Sequence, residues 1–231
     1  MKKIIFVALF SILAIHVSAS DGSDQKTETR SVTPFNEINI SNALKLVITQ
    51  ADNYSLKLEG EANDLQYVEV RQSGSVLNIG MKESFHDNHH RQIIVYVNCK
   101  DLKMIQLTGA CSVETTNQLK ATNFKIVANG ASKLKFNFNI DELDATLNGA
   151  SHILIKGKCN KATLVANGAS NLEAEELTVN EVELHCSGAS KAIVHVSRAL
   201  DIHATGASSV RYSGDATVKS DVTGASSIKK I

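Results

Sequence analysis

LNGASHILIKG occupies residues 147–157, and its centre, NGAS, recurs at 129–132 and 167–170. SGAS at 187–190 and TGAS at 205–208 and 223–226 are close variants, and TGACS at 108–112 is an earlier one. The glycines of this motif are Gly109, Gly130, Gly149, Gly168, Gly188, Gly206 and Gly224, separated by 21, 19, 19, 20, 18 and 18 residues. A period near twenty with small length changes marks a solenoid, in which each unit is one coil stacked on the last.

Counting outward from each glycine in steps of two gives the type of coil. Two before stand Leu107, Ala128, Leu147, Ala166, Cys186, Ala204 and Val222; four after stand Val113, Leu134, Ile153, Leu172, Ala192, Val210 and Ile228. The residues in between are mostly polar. Alternation with period two is the mark of strands with one buried face, and a helix would need matches at three and four. The expected fold is therefore an all-β solenoid, a β-helix-like stack of coils of about 19 residues. Each coil is two short strands joined at the glycine corner, with a second corner expected near Lys156-Gly157-Lys158. Glycine suits a tight corner because positive φ costs it little. Strict alternation points the corner serine inward; the bend leaves open whether alanine or serine faces the core. Asn129, Asn148 and Asn167 share a column and should form an amide ladder.

Residues 1–19 have the layout of a signal peptide: Lys2 and Lys3, an apolar run from Ile4 to Val17, then Val17-Ser18-Ala19 as a small-residue cleavage site. The apolar run is shorter than the roughly 20 residues a membrane span needs, and no later segment is a candidate span. The mature chain is expected to be exported to the periplasm, the cell surface or the medium. Residues 20–33 are polar and read as a disordered lead-in. Lys plus Arg and Asp plus Glu each number 24, so a broadly basic groove for nucleic acid is not expected. Four cysteines, Cys99, Cys111, Cys159 and Cys186, raise the question of disulfides in an exported chain. The repeat register keeps Cys186 and Cys111 about four coils apart, too far to bridge; Cys99 and Cys111 could pair, and free buried thiols are the alternative.

Residues 34–100 lose the period but keep the strands. Ile38, Ile40, Leu44, Leu46 and Ile48 repeat the coil pattern with Asn42 where glycine would stand, and Ser73-Gly74 reads as a hairpin turn. This β region should begin and cap a solenoid running over 101–231, the two forming one continuous domain. The opener RSVTPFNEINISNALKLVITQ, the passage CKDLKMIQLTGACS and the serial NGAS-type corners resemble the head GIN domain family, described as putative auto-transporter adhesins. The resemblance covers nearly the whole chain from about Arg30. It implies an exported β-solenoid and carries over no catalytic residue.

Two constellations are candidates for chemistry. SFHDNHH (84–90) brings His86, Asp87, His89 and His90 into one loop, a possible set of metal ligands. His185, His203 and Asp221 each fall three before a motif glycine, so they should align on the outer face of three successive coils, about 5 Å apart. Glu173, Glu175, Glu176 and Glu183 read as ordinary surface, and no nucleophile elbow, phosphate loop or Cys-x-x-Cys occurs. No cofactor is expected. The reading is a non-catalytic binding, adhesion or scaffold protein of the cell envelope, with a glycan or a surface protein as partner. A polysaccharide-acting lyase or hydrolase on the same scaffold is the alternative.

Overall fold

The computed structural model describes residues 25–85 and 92–231. The expected leader at 1–19 and the histidines His86, His89 and His90 lie outside the described residues. In chain order the elements are β1 (Gln25–Arg30), β2 (Glu37–Asn42), β3 (Lys45–Gln50), β4 (Ser55–Glu61), α1 (Ala62–Leu65), β5 (Val68–Ser73), β6 (Val76–Met81) and β7 (Ile94–Cys99). Next come β8 (Met104–Gly109), β9 (Ser112–Thr115), β10 (Leu119–Gly130), β11 (Lys133–Gly149), β12 (His152–Ala166), β13 (Asn171–Cys186), β14 (Lys191–Ala204), β15 (Ser209–Ser213), β16 (Thr217–Val222) and β17 (Ser227–Lys230).

From β8 onward the chain is the expected solenoid. Every successive pairing is parallel, and motif glycines lie beside motif glycines: Gly109 pairs with Gly130, and Gly130 with Gly149. The strands on either side of each glycine form two faces enclosing one core. The predicted inward positions are buried through Ile202, Ala204 and Val210, including Ile105, Ile126, Leu147, Leu164 and Leu184 at 0 % exposure. Burying one such side chain stabilises by about 1.5–3 kcal/mol. Large and small residues alternate so that the narrow core fills: Leu147 goes with Ala145 in one coil, and Ala166 with Leu164 in the next.

The second corner is different in kind from the first. At Asp141-Glu142, Asn160-Lys161 and Asn180-Glu181, whose Glu142, Lys161 and Glu181 are register partners, two successive residues point away from the core and the alternation changes phase. The corner expected at Lys156-Gly157-Lys158 thus has its phase change three residues later, because alternation continues through Gly157 to the buried Cys159. Gly157 has φ 110 and lies beside Phe138, where a Cβ would come within 3 Å of that residue's backbone. Phe138 stacks on Phe136 with ring centroids 5.1 Å apart and touches Phe124 at 5.0 Å. Differences in coil length are absorbed on this side, as register shifts between β12 and β13 and between β13 and β14.

The N-terminal region caps the stack by stepping backward. Strands β2 and β3 form a coil around Asn42, which has φ 71 and pairs with Gly109, so asparagine does take the glycine's place. Strands β6 and β7 lie parallel to the opposite edge of that coil, so a later segment sits beyond an earlier one. Beyond them, β5 pairs antiparallel with β6 through the Gly74-Ser75 hairpin, β4 pairs with β7, and β1 with β4. Residues 25–30, expected within a disordered lead-in, are therefore strand. Polar residues suffice there because the strand lies on an existing edge and needs backbone pairing more than burial. Leu65 of α1 is buried beneath this layer.

Candidate binding surface

The glycine corner is a stack of backbone carbonyls, each satisfied from the next coil. The Gly130 carbonyl accepts from the Ala150 N–H at 2.8 Å and from Ser151 Oγ at 3.2 Å; Gly149 accepts likewise from Ala169 and Ser170. Serine is the inward residue: Ser132, Ser151, Ser170, Ser190 and Ser208 are at most 1 % exposed, while the alanines face out. A hydroxyl that reaches a carbonyl turns a costly buried polar group into a paired one. In the first such coil Cys111 takes the serine's place, its thiol 3.1 Å from the Asn42 carbonyl.

All four cysteines are free and buried. Cys99 lies in β7 and Cys111 between β8 and β9, with β3 between the two layers, so they do not share a coil. Burial pushes the Cys99 thiol up to about 12 and those of Cys159 and Cys186 to about 11. These sulfurs pack as small apolar groups.

The outward columns are ladders. Asn148 Nδ2 donates to Asn129 Oδ1 and Asn167 Nδ2 to Asn148 Oδ1, both at 2.9 Å, and Ser187 Oγ continues the run to Asn167 Oδ1 at 2.7 Å. His185, His203 and Asp221 are register neighbours, as expected. The two imidazoles stack at 4.8 Å and 8°. Each ring is turned to a carboxylate of its own strand: His185 Nε2 to Glu183 at 2.9 Å, and His203 Nε2 to Asp201 at 3.5 Å. The hydrogen bond from His185 holds the Glu183 carboxyl below its ordinary value. Among the described residues no group of three or more His, Cys, Asp and Glu side chains converges in a way that could hold a metal ion. The glutamates are dispersed: Glu173 contacts His152 at 3.1 Å, and Glu176 contacts Lys156 at 2.8 Å.

A wide concavity lies on the second-corner side. A cleft of about 930 Å³ lies where the chain enters the solenoid, between Pro34, Phe35 and Tyr54 and the corners at Asp101–Lys103, 120–123 and 139–141. Tyr54 is held edge-on to Phe35 at 5.3 Å. Lys103 and Asn123 also line a second depression of about 370 Å³ that runs on to Glu142, Asp144, Lys161 and Thr163. Together they make a trough crossing successive coils, lined by amides, hydroxyls and charges of both signs. Its residues carry no single marker like the motif glycine: the phase change recurs seven and eight residues before each glycine, at Thr122-Asn123, Asp141-Glu142 and Asn160-Lys161, but the residue types differ from coil to coil.

The family described as putative auto-transporter adhesin, head GIN domain, matches residues 34–216. No curated protein matches the chain. Among solved structures, a putative adhesin from Bacteroides fragilis superposes with a TM-score of 0.87 at 21% identity, over 91% of this chain and 98% of that one. A putative adhesin from Parabacteroides merdae gives 0.73 at 20% identity, over 90% and 96%. A putative lipid binding protein from Parabacteroides distasonis gives 0.71 at 19% identity, over 90% and 97%. At these identities the likeness is one of fold.

Proposed function

We infer, since this chain belongs to the head GIN domain family of putative auto-transporter adhesins, that it is an exported, non-catalytic binding protein of the cell envelope that holds a glycan chain along its second-corner trough. The carrying observation is the continuity of that trough across coils through Lys103 and Asn123. A polymer can make one weak polar contact per coil there, and many such contacts sum to useful avidity. Amides and opposite charges at fixed spacing suit hydroxyl-rich ligands, and the Tyr54 ring offers an apolar surface at one end. No helix among the described residues is long and apolar enough to cross a membrane.

The test is a panel of neutral and acidic oligosaccharides offered to the purified chain, with both retention and product length measured. Retention of intact glycan, weakened about tenfold by Asn123→Ala with Asn139→Ala and unchanged by Lys191→Ala on a solenoid face, supports the reading. Shortened products would overturn it in favour of a polysaccharide-acting enzyme on the same scaffold. Equal retention by all variants would remove binding from the trough.

A further inference from the structure

The two ends of the stack are finished differently. At the N-terminal end the outermost strands β1 and β5 carry charges paired within their own strand, Arg30 with Glu28 at 3.1 Å and Arg71 with Glu69 at 2.6 Å. Alternating charge is a common way to blunt an edge. At the other end β16 pairs only with β14, and β17 only with β15. Neither has a partner on its outer edge among the described residues. The two large apolar side chains that stand exposed among the described residues, Val222 at 40 % and Ile231 at 43 %, are both in this last coil. Val218 and Ile228 beside them are only half-buried.

We propose that this end pairs edge to edge with the same end of a second copy, making a closed two-fold dimer in which β16 runs antiparallel to its counterpart with Ser220 on the axis. Three constraints select this arrangement. Inward residues must oppose inward ones, which confines the axis to a residue rather than a gap between residues. An axis at Lys219 would set Lys219 against its copy, and one at Asp221 would set that carboxylate against its own copy. Centring on Ser220 instead faces Lys219 with Asp221 twice, once on each side of the axis, and opposes Val218 to Val222. Like charges directly opposite destabilise a strand pair, and opposite ones stabilise it.

The second edge accepts the same axis. Ser220 and Ile228 each lie four residues from Gly224, so they hold matching places on the two faces. The axis through both opposes Ile228 to its copy and Lys229 to Ser227, with no like-charge pair. An isologous contact of this kind closes on itself and does not propagate.

Sedimentation velocity of the full chain at tens of micromolar tests the proposal. The wild-type chain is expected to sediment as a dimer. Lys219→Asp sets carboxylates opposite each other twice and should weaken association about tenfold or more. Adding Asp221→Lys exchanges the two charges, restores both pairs and should restore the dimer. Circular dichroism melting separates loss of association from loss of fold, since Lys219 also stands beside Asp201 and Asp221 beside His203. A monomeric wild type, a dimer indifferent to both charges, a double variant that stays monomeric although folded, or species larger than a dimer would each overturn the proposal.

Discussion

Gly149 has φ 100, and a Cβ built there would lie 2.5 Å from the Gly130 carbonyl oxygen. Two independent demands meet at this residue: a left-handed backbone and an absent side chain. Gly74, at φ 56 in the hairpin, has nothing within 4 Å of the same added atom. Gly149→Ala should therefore lower stability by about 3 kcal/mol, combining backbone strain with a clash against a carbonyl that cannot retreat, whereas Gly74→Ala should cost about 1 kcal/mol. Urea unfolding of the two variants checks this, and equal losses would refute the steric part. The Ala of the motif is another matter. It recurs in all seven coils yet faces solvent, and its N–H, not its methyl, makes the link to the previous coil.

Within one coil, the face whose strands alternate strictly was readable from sequence, and the corner opposite the glycine was not. Period-two burial depends only on neighbouring residues, so the positions two and four from each glycine announce themselves. The phase change at Asp141-Glu142 or Asn160-Lys161 keeps a fixed distance from the glycine, but no single residue type marks it. The histidine column is an intermediate case. Register alone placed His185 beside His203, but the turn of each ring toward Glu183 or Asp201 is a choice of rotamer made in the folded face. This has a pH consequence. The Glu183 value in the folded chain lies below its unfolded value, chiefly through the His185 hydrogen bond and further through the charges of His185, His203 and Lys161, with desolvation opposing. Its contribution is therefore present in full above the ordinary carboxylate range and is lost as pH falls through the folded value. The pair is half exposed, so the stability involved is small. Carboxyl carbon NMR should find Glu183 titrating below an ordinary glutamate and should find it returned toward the ordinary value in His185→Ala. An unchanged value in that variant would assign the shift to another cause.

For the whole molecule, stability is the sum of coil-to-coil contacts, so it should vary along the stack with how many sides each coil has covered. Coils β11 to β13 have neighbours on both sides, whereas the coil of β16 and β17 has one, and its inward positions Ser220 and Lys230 are exposed. In the Lys219→Asp chain, amide exchange should be slowest in β11 to β13 and fastest in β16 and β17, and wild-type dimer should slow the last coil selectively. Uniform exchange along the stack would contradict a one-dimensional assembly.

The sequence by itself determined that this chain is a β-solenoid with a glycine corner, and which of its residues look inward, because period and parity are local properties repeated often enough to be read. Only the tertiary structure decided that β6 and β7 lie behind β2 and β3, that residues 25–30 add a strand, that Cys99 and Cys111 stand in different layers, and that a trough runs along the second corner. Those features come from pairings between segments tens of residues apart. Such pairings are chosen by which edges remain open once the regular coils have stacked, and no stretch of sequence carries that information alone.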